Sequence, residues 1–215
     1  NTFALMEDGS MCAWGWNDYG QLGIGNNQNR NVPQRMESFD NVKDITCRSY
    51  STVALKKDGS MYSWGLSKYE LPDMGNGEFQ VIPTKVGLSN VKKFRCGYYH
   101  NIALMKDGSV YSWGSNSFGE LGIGNNEYQS IPKRVNSIED VKDIQCGDDY
   151  TIALTREGTV YAWGRNDDGQ LGIGNNVNQN IPKRVEKLKN VKRIRCGGYH
   201  SIALLKDGLV YSWGS

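Results

Sequence analysis

A Trp-Gly pair recurs along this chain at a nearly constant interval. Successive pairs are 50, 49, 50 and 50 residues apart, at Trp14-Gly15, Trp64-Gly65, Trp113-Gly114, Trp163-Gly164 and Trp213-Gly214. Self-similarity at one fixed period is typical of repeat architectures, in which neighbouring copies of a unit bury a shared core. We therefore expect one repeat domain over residues 1–215. Its units are approximately 1–33, 34–83, 84–132, 133–182 and 183–215, and the array is incomplete at both ends.

Each unit has the residue pattern of short antiparallel strands. In the clearest copy, three runs rich in β-branched and aromatic residues are Val141 to Cys146, Ile152 to Leu154 and Val160 to Trp163. A fourth run, Ile181 to Val185, contains a proline, which is tolerated only at a sheet edge or at the start of a strand. The prediction is an all-β chain with about four strands per unit.

A two-residue turn signal separates the second and third runs. The copies read Glu157-Gly158 in the unit above, and Asp8-Gly9, Asp58-Gly59, Asp107-Gly108 and Asp207-Gly208 in its sisters. Asp-Gly between apolar runs predicts a tight type I′ hairpin, because glycine adopts positive φ without a steric penalty. The glycines are thus structural repeat positions, as are the five tryptophans of the Trp-Gly pairs.

Four of the five cysteines share one position in successive units: Cys47, Cys96, Cys146 and Cys196. Equivalent positions on neighbouring sheets should lie beyond the roughly 7 Å Cα separation that a disulfide spans. Cys12 replaces a tyrosine found in the sister units. Free, packed thiols are the better interpretation, and they favour a reducing compartment, the cytoplasm or nucleus.

The remaining chemistry-bearing residues do not form a catalytic, metal-binding or cofactor-binding pattern. The two histidines, His100 and His200, share a position that holds Ser51 and Tyr150 in sister units, unlike a metal ligand. The glycine-rich loops lack the helix N-terminus or Gly-Lys-Ser/Thr of a phosphate site. A serine or cysteine nucleophile with a matched base is absent. We expect a non-enzymatic protein without metal or cofactor. The net charge of +2 is nearly balanced, so no overall attraction to nucleic acid or membrane is expected.

Together these positions form the pattern V-K-x-I-x-C-G, I-A-L-x-x-D-G-x-V-Y-x-W-G and N-x-x-G-x-L-G-I-G-N-N, followed by P-x-R-V. It resembles the repeat of the regulator of chromosome condensation family across essentially the whole chain. The resemblance implies a β-propeller of four-stranded antiparallel blades. The family typically has seven blades, so we expect about four blades of a seven-bladed array, an open fragment whose missing blades or flanking domains belong to a longer parent chain.

Two segments depart from the repeat and are candidate partner-binding sites. The second unit replaces the glycine-rich loop by a sequence that includes Lys68, Tyr69, Glu70 and Asp73, which is either a decayed repeat or a partner-specific loop. The run from Lys183 to Arg195 is basic. Its candidates are Lys187, Lys189, Lys192 and Arg193, although strand residues alternate between faces, so that ordinary solvated charges are the simpler alternative.

A repeat fold without a chemical constellation favours an interaction scaffold that binds another protein. The resemblance extends this to the recognition part of a multidomain protein, such as a ubiquitin-ligase adaptor. It also implies one alternative, nucleotide exchange on a small GTPase, for which the even loop lengths show no distinctive insertion. The other alternative is binding of chromatin or lipid headgroups through the basic run. The sequence contains no membrane span.

Overall fold

The computed structural model of the chain describes residues 1–37, 39–47, 50–66 and 79–215. All regular structure in these ranges is β-strand, and every strand pairing is antiparallel. The chain divides into two compact units, Asn1–Val91 and Lys92–Ser215. No helix long and apolar enough to cross a membrane occurs in the described ranges.

The first unit contains two sheets in which strands follow one another in sequence order. One sheet consists of β1 (Thr2–Leu5), β2 (Met11–Gly15) and β3 (Arg30–Arg35). The other consists of β4 (Val42–Cys47), β5 (Ser51–Lys56), β6 (Met61–Leu66) and β7 (Phe79–Lys85). Side chains of both sheets share one buried cluster, in which Met11 and Ala13 pack with Ala54 and Trp64.

The second unit contains three sheets with the same connectivity. The first consists of β8 (Val91–Cys96), which starts at the unit boundary, β9 (His100–Met105), β10 (Val110–Gly114) and β11 (Gln129–Arg134). The second consists of β12 (Val141–Cys146), β13 (Tyr150–Thr155), β14 (Val160–Gly164) and β15 (Gln179–Arg184). The third consists of β16 (Val191–Cys196), β17 (His200–Leu205) and β18 (Val210–Gly214).

The four strands predicted for the clearest unit are confirmed as β12 to β15. The proline-containing strand β15 lies at the sheet edge, where Pro182 removes no ladder hydrogen bond from a neighbouring strand. The pairing of β15 with β14 shifts register between Ala162 and Gly164. The same shift occurs between Ser112 and Gly114 in the preceding sheet, so the irregularity belongs to the repeat.

The predicted hairpins are present, but the type I′ turn is wrong. That turn needs positive φ at both central residues. Gly158 has a φ of 93°, whereas the φ of Glu157 is not positive. Gly158 N donates to Thr155 O, and Thr155 N donates to Thr159 O. The connection is therefore a three-residue loop, in which a type I turn is followed by a left-handed glycine.

The tryptophan of one sheet is anchored in the glycine-rich loop of the preceding sheet. Trp163 Nε1 donates to Glu120 O at 3.0 Å, and in the first unit Trp64 Nε1 donates to Gln21 O at 2.9 Å. A Cβ built on Gly122 would lie 2.6 Å from Trp163 Nε1. Glycine is thus required there for the close approach of the indole ring, which connects successive sheets.

A buried asparagine shapes each described glycine-rich loop from within. Asn166 is fully buried, and its Oδ1 accepts a hydrogen bond from Leu171 N at 3.0 Å. Its Nδ2 donates to Asn175 O at 2.7 Å and to Val177 O at 3.2 Å. Asn17 makes the same kind of contacts in the first unit. One side chain therefore satisfies main-chain groups on both limbs of the loop.

Candidate functional site

Three short turns between the first and second strands of consecutive sheets are joined by main-chain hydrogen bonds. Tyr98 N donates to Asp148 O at 2.7 Å, and Asp148 N donates to Gly198 O at 3.1 Å. We call residues 97–99, 147–149 and 197–199 the turn row. It leaves three tyrosines about half exposed: Tyr98, Tyr99 and Tyr199, at 48%, 43% and 42%.

Arg165, which follows β14, contacts side chains from three consecutive sheets. Its Nε donates to Asp167 Oδ2 at 2.8 Å, and its Nη1 lies 3.6 Å from Asp149 Oδ2. The guanidinium carbon lies 5.1 Å from the centre of the Phe118 ring and 5.6 Å from that of Tyr199. We call these five residues the Arg165 cluster. The planar guanidinium is held both by carboxylates and by aromatic faces.

The Arg165 cluster brings charge into a partly desolvated position. The side chains of Arg165 and Asp149 are 29% and 18% exposed. Burial raises the pKa of Asp149, and the neighbouring Arg165 charge opposes this increase. Arginine and tyrosine are the residue types enriched at energetically dominant positions of protein interfaces. A half-buried arginine beside exposed tyrosines is therefore suited to bind a protein surface.

In the first unit, a cluster of four aromatic residues consists of three in the equivalent loops, Trp16, Tyr19 and Tyr50, and of Phe79 at the start of β7. Ring centres of Tyr19 and Tyr50 are 5.4 Å apart, those of Trp16 and Tyr50 are 5.5 Å apart, and those of Tyr19 and Phe79 are 6.4 Å apart. All these pairs are edge-to-face, the arrangement that aromatic rings prefer. Trp16, Tyr50 and Phe79 are 39%, 45% and 40% exposed, so this unit also presents apolar surface at its loops.

The four basic candidate residues are all exposed. Lys187 and Lys189 lie between β15 and β16, and Lys192 and Arg193 lie in β16. A register shift between Val191 and Arg193 interrupts the alternation of the strand, which explains why two successive basic side chains are both exposed. Arg195, later in β16, lies with its Nη1 4.0 Å from Asp143 Oδ2.

The other candidate loop, with Lys68, Tyr69, Glu70 and Asp73, lies outside the described residues. It stays a prediction.

The structural repeat positions include both buried and partly exposed side chains. Trp64, Trp113 and Trp163 are buried, while Trp14 and Trp213 are partly exposed. Gly59, Gly108, Gly158 and Gly208 all have φ between 92° and 94°. The five cysteines are free thiols. Burial raises the pKa of Cys47, and that of Cys196 to about 12, which makes these two thiols poor nucleophiles at neutral pH.

The histidine position has a packing role. His100 is buried, and its Nε2 lies 3.0 Å from Thr151 Oγ1 of the next sheet. A Cβ at Gly97 would lie 2.0 Å from the His100 ring. Over the described ranges, no group of three or more His, Cys, Asp or Glu side chains is arranged to hold a metal ion.

The sequence interpretation missed the turn row and the Arg165 cluster. Both include residues at two positions of the repeat. Trp16, Ser115 and Arg165 follow the Trp-Gly pair by one residue, and Tyr50, Tyr99, Asp149 and Tyr199 share the position before the second strand. Comparing the units position by position would have shown that the first position varies and that the second is a tyrosine in three of four units.

Comparison with known proteins agrees with the repeat pattern and the sheets. A family model described as the RCC1-like domain matches residues 2–215. The ultraviolet-B receptor UVR8 of Arabidopsis thaliana is 47% identical over 38 residues, which cover 18% of this chain and 9% of the receptor.

Solved structures that match nearly the whole chain include a human and a yeast protein. Human WBSCR16 has a TM-score of 0.82 and 26% identity, covering 99% of this chain and 58% of that one. The structure of Kap60 bound to yeast RCC1 (Prp20) gives a TM-score of 0.83 and 24% identity, covering 99% and 53%.

The chain thus spans little more than half the length of these structures, and a small part of the curated relative. The all-β fold of antiparallel, propeller-type sheets predicted from the repeat is confirmed. With a family model that matches residues 2–215, this chain belongs to the RCC1-like domain family.

Proposed function

We propose that this domain is a non-enzymatic scaffold that binds another protein through the turn row and the Arg165 cluster. The observation that carries the proposal is the position of Arg165 between Phe118 and Tyr199, 5.1 and 5.6 Å from their ring centres. The surrounding turns are tied together by main-chain hydrogen bonds. A surface that is rigid before binding loses less conformational entropy when a partner docks.

The domain acts, in this proposal, as the recognition part of a larger multidomain protein, for example a ubiquitin-ligase adaptor. It works in the cytoplasm or nucleus, where its five free thiols stay reduced. The loop with Lys68, Tyr69, Glu70 and Asp73 is a second partner-specific element of the scaffold.

Two alternatives have their own supporting observations. The first is nucleotide exchange on a small GTPase, for which the fold shared with Prp20, a protein with binding properties to Gsp1p and histones, is the supporting observation. The exposed Lys187, Lys189, Lys192 and Arg193 support binding of chromatin or lipid headgroups, because clustered cations release counterions from phosphates.

The test is affinity purification with the full-length protein in three forms, followed by mass spectrometry. The wild type is compared with the double variant Tyr99→Ser/Tyr199→Ser, and with a variant in which the four basic residues become glutamine. Partners lost only with the tyrosine variant support the scaffold surface. If the tyrosine variant retains every partner, the proposed surface is wrong.

If nucleosomes or anionic vesicles bind the wild type but not the variant without the four basic residues, the domain binds chromatin or lipid headgroups instead. A small GTPase that is retained is assayed for accelerated nucleotide release, which the scaffold function does not require. Both variants change only exposed side chains, so circular dichroism should show that each folds like the wild type.

A further inference from the structure

A groove of about 560 Å³ lies within the first unit, between its two sheets. Three of its lining side chains are cationic, Arg30, Arg35 and Lys56. Its apolar lining includes Phe39, Tyr62 and Ile82. The volume is in the range of ligand-binding clefts, in which a few charged groups orient a ligand over an apolar surface.

The aromatic floor of the groove holds one of the cations in place. The rings of Phe39 and Tyr62 are edge-to-face with centres 5.2 Å apart. Lys56 Nζ lies 4.6 Å from the centre of the Phe39 ring and 5.0 Å from that of Tyr62. The ammonium group is attracted by both ring faces, so its charge is positioned directly above an apolar surface.

The other two cations come from the two ends of strand β3. Arg30 begins and Arg35 ends this strand. Among the described residues, none of the three cations is within ion-pair distance of a carboxylate. The buried Arg30 Nε has no hydrogen-bond acceptor among the described residues. Positive charge in the groove is therefore left largely uncompensated.

Nearby acidic residues only weaken this charge. Glu37 lines the groove, while Asp8 and Asp58 lie near Arg35 and Lys56. Those two aspartates are in exposed hairpin turns, where solvent screens their charge.

The walls of the groove are strands at sheet edges. β3 and β7 are each the last strand in their sheet order. Pro33 and Pro83 remove one main-chain donor from each wall, which disfavours the addition of a further strand. Gly25 N also donates to Val81 O at 2.9 Å, so the glycine-rich loop already occupies part of the β7 edge. The side chains of a ligand must therefore supply the binding contacts.

Two of the grooves in the second unit have different chemistry. One has a volume of about 250 Å³ and is lined by the acidic residues Glu139, Asp140 and Glu157. The other, of about 380 Å³, is mainly apolar, with Ile173, Leu188 and Trp213. At the positions of Arg30 and Lys56, the sheets that bound the acidic groove carry Gln129 and Thr155. The cationic groove is thus a feature of individual residues and not of the repeat.

We propose that the groove between β3 and β7 binds an extended protein segment that carries a carboxylate side chain next to an aromatic one. Carboxylates of the segment pair with Arg30, Arg35 and Lys56, and its aromatic ring packs on Ile82 and on the exposed part of Tyr62. Charge-assisted hydrogen bonds to guanidinium groups make such pairing directional. The proposal rests on the scaffold function and assigns it a second surface, distinct from the turn row.

The probe is a fluorescein-labelled peptide, Gly-Glu-Phe-Glu-Phe-Gly, and binding to the full-length protein is measured by fluorescence polarisation. The test variant is Arg30→Gln/Lys56→Thr, which introduces the residue types that Gln129 and Thr155 provide in the sister sheets and should therefore fold. The matched control is Arg134→Gln, at the position equivalent to Arg35 in the second unit. We expect the test variant to bind about tenfold or more weakly, and the control to bind like the wild type.

Three results would overturn the proposal: equal binding by the test variant, equal binding of a peptide with glutamine in place of glutamate, or complete displacement by an equal concentration of benzoate. The last result would assign the groove to a small aromatic acid. The variant Tyr99→Ser/Tyr199→Ser should bind the probe normally. The two proposals can therefore fail separately. Peptide binding tests the groove, and the partners that the tyrosine variant loses in affinity purification test the turn row.

Discussion

The indole Nε1 of Trp163 donates a hydrogen bond to the main-chain oxygen of Glu120, 3.0 Å away and 43 residues earlier in the chain. The same oxygen accepts a hydrogen bond from Thr151 Oγ1 at 3.1 Å. The pair Trp213 and Gln170 repeats the relationship at 2.9 Å. A loop of one sheet is thus held by a strand of the next, and the stability of the array depends on this junction.

Truncation of the junction tryptophan should be severely destabilising. Trp163→Ala removes a fully buried indole, and we expect it to lower the free energy of unfolding by about 3–5 kcal/mol. Trp163→Phe keeps an aromatic ring and loses one hydrogen bond, at a cost of about 1 kcal/mol. Chemical denaturation monitored by circular dichroism measures both. Asp148→Ala, which keeps the main-chain contacts of the turn row, is the control, and a loss as large as that of Trp163→Ala would contradict the prediction.

A glycine that contacts the tryptophan should not tolerate a side chain. In Gly122→Ala the new Cβ would lie 2.6 Å from Trp163 Nε1, at a residue with φ of 70°. We expect a cost of about 2–4 kcal/mol. Gly124 also has positive φ, but its nearest atom would be 3.9 Å away, so Gly124→Ala should cost only about 1 kcal/mol. Thermal unfolding of the two variants separates steric contact from backbone strain, and equal shifts would refute the contact.

The buried asparagine of the glycine-rich loop should be more important than the exposed one. Asn166→Ala leaves the main-chain groups of Leu171, Asn175 and Val177 without their side-chain partner. We expect a loss of about 2–3 kcal/mol. Asn176→Ala removes a single exposed hydrogen bond to Asp167 O and should cost less than about 0.5 kcal/mol. Hydrogen exchange of the loop amides measures the local effect, which should be confined to Asn166→Ala.

The stability of the second unit should depend on the protonation of Glu120. Burial raises the pKa of this carboxyl group above its ordinary value, so the folded state disfavours the ionised form relative to the unfolded chain. The contribution of Glu120 is therefore most favourable below the unfolded pKa of about 4.3. It decreases as the pH rises through the higher folded pKa.

The variant Glu120→Gln places at this position the residue that Gln21 and Gln170 occupy in sister loops. It should lack this part of the pH dependence. The measurement is the difference in free energy of unfolding between wild type and variant from pH 4 upward. Both proteins carry Asp149→Asn, because burial also raises the pKa of Asp149 and its charge acts on Glu120. A difference that does not change with pH would show that Glu120 titrates normally.

The divergent loop of the second unit should be dispensable for folding. Replacing residues 68–73 by the sister segment 167–172 keeps the loop length, and we expect stability to be unchanged or higher. Loss of one partner in affinity purification, with others retained, would identify Lys68, Tyr69, Glu70 and Asp73 as a recognition element. A clear loss of stability would show that this sequence has a structural role of its own.

The repeat sequence by itself determined the strands and their order. The period of the Trp-Gly pairs set the unit, β-branched and aromatic runs set β12 to β14, and Pro182 indicated the edge position of β15. These properties follow from side-chain preferences that act over a few residues. The hairpin at Gly158 shows the limit even of local inference, because Asp-Gly or Glu-Gly suits both a type I′ turn and a type I turn with a following glycine.

Only the tertiary structure decided which exposed residues meet. Phe118, Arg165 and Tyr199 belong to three different sheets. Lys56, at the end of β5, contacts the ring of Phe39, which precedes β4. Such contacts depend on how each glycine-rich loop places its sheet against the next, which the anchored indole of Trp163 and the buried amide of Asn166 control. Residues at positions that vary between repeats follow no periodic pattern, so their partners become known only when the sheets are packed.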